Sequence, residues 1–282
     1  MIGLPDAAVG RGAEGAAPRV APVLETRDLS IRFGGLLAVG DFNLAMGRNE
    51  LVGLIGPNGA GKTTVFNMLT GVYRPTSGEV LFRGTSTRGL KPHQTCRLGI
   101  ARTFQNIRLF KRLAVLDNVR IGAHNTARYG TLSSVLRTHG FLETEREIER
   151  RSRDLLAIFG LEKRAGEPAS SLPYGDQRRL EICRALASGP SLLLLDEPAA
   201  GMNSAEAGTL MATIRRIRDE FGVTILLIEH NMRVVMSICE RILVLNYGKT
   251  IAEGTPARIQ EDPAVIAAYL GEPERASRPE EP

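Results

Sequence analysis

Hydrophobic and polar positions alternate along Val23 to Phe33 (VLETRDLSIRF) and again along Leu37 to Met46 (LAVGDFNLAM), which predicts two strands joined by a turn at Gly34 and Gly35. From Glu50 to Gly56 (ELVGLIG) the run is apolar almost throughout, the pattern of a strand covered on both faces. A turn and a further strand follow within Arg74 to Gly84. Between about Asn106 and Ser170 the period changes: Ile148, Ser152, Leu155, Leu156 and Phe159 fall on one face of a helix, so this segment reads as a helical insertion. From Gly175 onward helices and buried strands alternate. The helix DQRRLEICRALAS precedes the strand SLLLLDE; a helix striped by Leu210, Ile214, Ile217 and Phe221 precedes the strand VTILLIEH. Such alternation predicts a mostly parallel α/β sheet, and no internal repeat or coiled coil interrupts it.

With 282 residues, 43% of them hydrophobic, the chain is long enough for one large domain or two small ones around a substantial core. Its longest apolar runs, Leu192 to Leu195 and Val223 to Ile228, fall far short of the roughly 18 residues of a membrane-spanning helix. The opening MIGLPDAAVGRGAEGAAPRV lacks the apolar centre of a secretory signal and reads as a flexible tail over residues 1–21; a second tail is expected over 272–282. Cys96, Cys183 and Cys239 are scattered without a CxxC pair, which points to reduced structural thiols and a cytoplasmic protein. The net charge of +5 suits either an anionic partner or a plain solvated surface. Its charged runs mix both signs, as in ETEREIERRSRD, and lack interleaved aromatics, so nucleic acid is not expected as a partner.

The chemistry concentrates in GPNGAGKTT: Gly56, Pro57, Asn58, Gly59, Ala60, Gly61, Lys62, Thr63 and Thr64. This run matches the phosphate-loop pattern GxxxxGK[ST] and lies between a strand and an amphipathic helix (Val65, Met68, Leu69), the context the motif requires. Glycines let backbone N–H groups turn inward around phosphate oxygens, the helix N-terminus adds positive potential, and Lys62 reaches the β and γ phosphates. Thr63 offers a hydroxyl to Mg²⁺. The strand LLLLDE then ends in two carboxylates where open α/β sheets bind ligands. Asp196 is the expected metal-side carboxylate, and Glu197 the group that orients or deprotonates the attacking water. Gln105 and His230 each end an expected strand, and Phe33 precedes a turn; taken singly, such residues are more often structural than catalytic. No NKxD guanine motif occurs, which disfavours a GTPase.

Phe33, GPNGAGKTT, Gln105, PYGDQRR, LLLLDEP and His230, in that order, resemble the ATP-binding subunits of ABC transporters over about Leu24 to Leu270. The resemblance implies a P-loop NTPase of ABC type: an α/β protein with a mixed sheet core, an antiparallel β subdomain and an inserted helical subdomain at about 106–172, all within residues 22–271. It implies ATP and Mg²⁺ as cofactors, Phe33 stacked on adenine, Gln105 linking the γ-phosphate or Mg²⁺ to the helical subdomain, and His230 touching the γ-phosphate. Mg²⁺ would then be met by Thr63, Gln105 and Asp196. Leu172, Pro173, Tyr174, Gly175 and Asp176 take the place of the Leu-Ser-Gly-Gly-Gln signature that faces a partner's nucleotide, although a proline-glycine turn and helix cap would account for them too. Pro173 for serine, Tyr174 for glycine and Asp176 for glutamine are departures, and Asn203 in AGMN replaces an aspartate; a carboxylate near phosphate is expected to weaken that contact.

RFGGLLAV, ARTFQNIRLF, YGDQRRLEICRAL, EPAAGMN and AYLG narrow the likeness to LivG-type ATPases of branched-chain amino-acid importers. That resemblance implies two transmembrane permease subunits, a second, different ATP-binding subunit and, indirectly, an extracytoplasmic solute-binding protein. The chain is then expected to be peripheral on the inner face of the cell membrane. The competing reading is a nucleotide-gated regulatory module with little turnover, to which Pro173, Tyr174 and Asn203 point and against which Glu197 and His230 speak. An ABC-type repair or translation ATPase would need a long coiled coil or two fused cassettes, and the sequence has neither.

Overall fold

A computed structural model describes residues 21–126 and 131–270; apart from Ala21, the expected tails lie outside the described residues. In chain order the elements are β1 (Leu24–Phe33), β2 (Leu36–Met46), β3 (Leu51–Ile55), α1 (Lys62–Leu69), β4 (Ser77–Phe82), β5 (Thr85–Ser86), α2 (Pro92–Leu98) and β6 (Ile100–Arg102). Next come α3 (Val115–Ala123), α4 (Thr131–Val135), α5 (His139–Ile158), α6 (Tyr174–Ala187), β7 (Leu192–Asp196) and α7 (Ser204–Phe221). The chain then forms β8 (Thr224–Ile228), α8 (Met232–Ile238), β9 (Arg241–Asn246), β10 (Lys249–Gly254), α9 (Pro256–Glu261) and α10 (Pro263–Leu270).

The strands fall into two sheets. One is antiparallel with order β2-β1-β4-β5; the other has order β10-β9-β3-β8-β7-β6 and is parallel except for its edge pair β9 and β10. This is the expected mixed core with an antiparallel subdomain. The period-2 rule shows why β7 and β8 are apolar throughout. Leu193, Leu195, Ile225 and Leu227 face a core shared with α3, α5, α6 and α7, whereas Leu192, Leu194, Leu226 and Ile228 face a core shared with α1 and the antiparallel sheet. Each of these eight side chains is essentially removed from water, worth about 2 kcal/mol apiece. Among the described residues no helix is long and apolar enough to cross a membrane.

The helical insertion behaves as its periodicity predicts. Helix α5 starts at Thr138, whose Oγ1 accepts the Phe141 N–H, and buries Ile148, Ser152, Leu155 and Leu156 while its charged face pairs Glu147 with Arg150 and Glu149 with Arg153. Helix α3 packs on α6 at Gly122, where a Cβ would lie 2.2 Å from the Arg184 carbonyl oxygen. Two expectations shift. Gln105 does not end a strand: β6 stops at Arg102, three residues earlier. His230 likewise lies two residues beyond β8.

The junction of the parallel sheet with α1 leaves no room for a side chain. At Gly56, with φ +148°, a Cβ would fall 2.0 Å from the Leu245 carbonyl oxygen of β9. Gly56→Ala is expected to cost about 3 kcal/mol or more, lowering Tm by about 10 °C in a chain of this length. Calorimetry checks this; a melting point within about 2 °C of the parent would mean that β9 yields easily.

Candidate active site

The loop between β3 and α1 forms one wall of a cavity of about 370 Å³, lined by Asn58 to Thr64, Leu36 to Ala38, Gln105, Glu197 and Tyr247. Its backbone is tied to the β9–β10 turn, where the Gly248 N–H donates to the Ala60 carbonyl (3.0 Å), and that turn is tied in turn to β2, the Gly40 N–H donating to the Gly248 carbonyl (2.9 Å). Gly61 caps α1 in the left-handed region, and a Cβ there would meet the Ala38 carbonyl oxygen at 2.9 Å, so the loop needs glycine for space as well as for φ. Lys62 is folded inward. Its Nζ donates to the carbonyls of Gly56 (2.7 Å) and Pro57 (2.9 Å), and burial lowers its pKa against the pull of Glu197 and Asp196. Thr63 is exposed on the first turn of α1 and lines the cavity.

Both carboxylates emerge at the C-terminal end of β7, and their surroundings separate their roles. Asp196 is buried and bound to Arg102, Nη2 to Oδ2 2.8 Å, while the Arg102 Nη1 holds Asn67 Oδ1 at 2.6 Å. Burial raises the Asp196 pKa and Arg102 opposes the shift. Glu197 turns the chain with φ +48°, a strained conformation for a residue with a side chain, and its own N–H donates to the Ile228 carbonyl at 2.9 Å. That turn brings Glu197 Oε2 to 3.2 Å from Gln105 Nε2 and 3.7 Å from His230 Nδ1. Three residues far apart in sequence thus meet around one carboxylate oxygen. Next to them Glu229, fully buried and with its pKa raised by burial, accepts the Ala199 N–H at 2.9 Å and fixes the segment after the two acids.

The signature segment opens α6 with Pro173 as N-cap and Leu172 buried beneath. Asp176 does not present bare charge at the helix end: Arg164 Nη1 approaches its Oδ2 at 3.0 Å and Arg179 Nη1 its Oδ1 at 3.4 Å. Two guanidiniums, one of them shared with Glu167, thus accompany the carboxylate that the sequence sets against phosphate. Tyr174 is half-exposed and its ring covers Gly201, leaving only 3.0 Å for a Cβ there. Asn203 caps α7, its Oδ1 accepting the Glu206 N–H at 2.9 Å while Glu206 Oε2 accepts the Asn203 N–H. An amide oxygen caps as well as a carboxylate, so this departure leaves the helix start intact.

Phe33 stands apart. It is 46% exposed, packs edge to face on Tyr73 at 5.3 Å between centroids, and is not among the cavity's lining residues. A larger hollow of about 740 Å³ beside α5 and α6 holds neither phosphate loop nor paired acids. Sequence reasoning missed Arg102 and Arg178. Each lies inside a run already singled out, ARTFQNIRLF and PYGDQRR, but an arginine reads as surface charge until its burial is seen.

The donor set fits a metal that arrives with its ligand. Among the described residues no cluster of three or more acidic, His or Cys side chains forms a metal cage. Mg²⁺ in nucleotide sites keeps several waters and takes one or two protein oxygens plus phosphates; the Thr63 hydroxyl in the cavity lining meets that demand, whereas Asp196 lies buried against Arg102 outside the lining and suits a contact through water.

Comparison with known proteins agrees with this geometry. The family model described as "ABC transporter" matches residues 39–200, and that of the "Branched-chain amino acid ATP-binding cassette transporter" matches 249–275. The chain is 48% identical over 251 residues to the high-affinity branched-chain amino acid transport ATP-binding protein LivG of Escherichia coli strain K12, covering 89% of this chain and 98% of that protein. A crystal structure of a nucleotide-free ATP-binding cassette from an ABC transporter superposes with a TM-score of 0.77 at 28% identity, over 89% of this chain and all of that one. A dimeric cassette in a post-hydrolysis state bound to ADP and Pi gives 0.70 at 25% identity, over 83% and 98%.

Proposed function

The chain belongs to the ATP-binding proteins of ABC transporters, of LivG type, and from that premise we propose that it hydrolyses MgATP to drive uptake of branched-chain or related amino acids. The observation that carries the reading is the meeting of Gln105, Glu197 and His230 at the mouth of the phosphate-loop cavity. Backbone N–H groups of residues 58–63 and Lys62 would hold the phosphates. Thr63, Gln105 and, through water, Asp196 would hold Mg²⁺, which when bound would offset the charge of the phosphates. Glu197 would orient the attacking water and take its proton at Oε2, Gln105 would contact the γ-phosphate side, and His230 would donate to a γ oxygen. Adenine would stack on Phe33 at the exposed end of β1.

Leu172 to Asp176 would face a nucleotide held by a second ATP-binding subunit, where the free N–H groups of the α6 N-terminus favour phosphate. A groove of about 400 Å³ beside this machinery is lined by Val72, Cys96, Phe104, Phe110, Ile121 and Ala185. Phe110 and Ile121 are 47% and 41% exposed there. Its contact with Phe104, one residue before Gln105, favours a cytoplasmic helix of a permease subunit as occupant. The chain would then sit peripherally on the inner face of the membrane. A regulatory module without turnover is disfavoured, since Glu197 is held in strain at the cavity.

The test is to extract the tagged chain from its native membrane in mild detergent and identify what accompanies it. Two polytopic proteins and a second, different ATPase are expected; recovery of the chain alone, or with nucleic acid, would defeat the transport reading. Ile121→Asp is expected to reduce recovery of the polytopic proteins at least about tenfold by placing a charge in an apolar contact, with nucleotide affinity of the free chain unchanged.

A further inference from the structure

Arg178 is the largest fully buried side chain among the described residues, and a guanidinium does not leave water without partners that hold it. It lies in the second turn of α6, following the signature segment. Nη1 donates to the Phe104 carbonyl at 2.7 Å and Nη2 to the Gln105 carbonyl. Its counter-charge is Glu181 on the same helix, at 3.3 Å and equally buried; the other oxygen of Glu181 accepts the Arg108 N–H at 3.1 Å. The pair therefore reaches the 104–108 segment at three backbone groups, two of them in consecutive residues. The guanidinium also lies 5.7 Å from the centre of the Tyr174 ring in the signature segment. Its Nε has no partner. Maximal stability would not choose a buried ion pair with an orphaned donor here, where apolar packing would do as well.

We propose that Arg178 is a positioning residue that locks Gln105 to the signature helix, so that the segment reaching the nucleotide's own γ-phosphate and the segment facing the partner's nucleotide move as one body. Two donors in a rigid fork grip the carbonyls of the two successive peptides that meet at the Gln105 Cα and restrain both. The side chain of Gln105 leaves that Cα toward Glu197. A shift of Gln105 on meeting the γ-phosphate is then delivered to α6 without slack, and a shift of α6 on meeting the partner returns to Gln105 and Glu197. The inference rests on the reading of Gln105 as a residue at the γ-phosphate.

The test compares Arg178→Lys, Gln105→Ala and the double variant in the complete transporter complex. Lysine keeps the charge beside Glu181 but cannot grip both carbonyls. Arg178→Lys is expected to keep the affinity of the free chain for a fluorescent MgATP analogue, to leave KM for ATP within about twofold, and to lower kcat about tenfold through misplacement alone. The decisive reading is the double variant. If Arg178 acts through Gln105, it turns over no more slowly than Gln105→Ala alone; multiplied losses would mean independent, structural action and overturn the proposal. Normal kcat in Arg178→Lys with an impaired Gln105→Ala overturns the proposal and leaves the reading of Gln105 standing. Full turnover in Gln105→Ala removes that reading and the proposal with it. Should Arg178→Lys fail to fold, Arg178→Met with Glu181→Met keeps the volume without a buried charge, and the same comparison applies.

Discussion

Glu197→Gln is expected to lower ATP turnover about a thousandfold, within the range lost when a general base is removed, while MgATP still binds. The substitution is nearly isosteric. Glutamine retains an oxygen for the Gln105 amide and fits the strained turn that the Ile228 carbonyl holds. What disappears is the negative charge that orients water and accepts its proton, so the loss falls on the chemical step. Binding rests on the phosphate loop, which Glu197 reaches only through the shared cavity. Single-turnover hydrolysis and equilibrium nucleotide titration on the same preparation separate the two. Turnover near the parent's would remove Glu197 from its assigned role and leave His230, exposed on the far side of that carboxylate, as the next candidate.

Lys62→Ala is expected to weaken nucleotide binding about a hundredfold or more. Charge-assisted hydrogen bonds are worth about 1.5–3 kcal/mol each, and loss of two phosphate contacts amounts to about 3 kcal/mol, or two decades in Kd. A second effect comes from the loop backbone. Nζ now satisfies the Gly56 and Pro57 carbonyls, one of them buried, so the alanine variant also loses stability. The titration should therefore be restricted to protein that is folded by its melting curve. Affinity within about twofold of the parent would refute the phosphate site, because no other lysine lines that cavity.

Elements that rely on local pattern were legible in the sequence, and so was the phosphate loop. The strands at 24–33, 51–55, 192–196 and 224–228 and the helix at 139–158 lie where hydrophobic period and turn residues place them. The partition into two sheets was not local: β1 joins β2 and β4 through bulged registers, and β3 inserts between β8 and β9, nearly two hundred residues later in the chain. The sequence reading ends a strand at Gln105, yet the carbonyls at 104 and 105 serve Arg178 instead of a sheet ladder. Asp176 looked hostile to phosphate because Arg164, which pairs with it, stands twelve residues away across a loop. Motif spacing names the atoms of a site; their partners come from folding.

The phosphate cradle is braced by the protein's own backbone. Gly248 clips it to the β9–β10 turn, Gly40 clips that turn to β2, and glycines at 56 and 61 let those strands press close. Little of the cradle remains to be ordered, so the rate at which a nucleotide is captured is set by diffusion and charge and varies little from one nucleotide to another. Discrimination between ATP and its spent product must then appear in residence time: the extra phosphate is felt by how slowly the ligand departs.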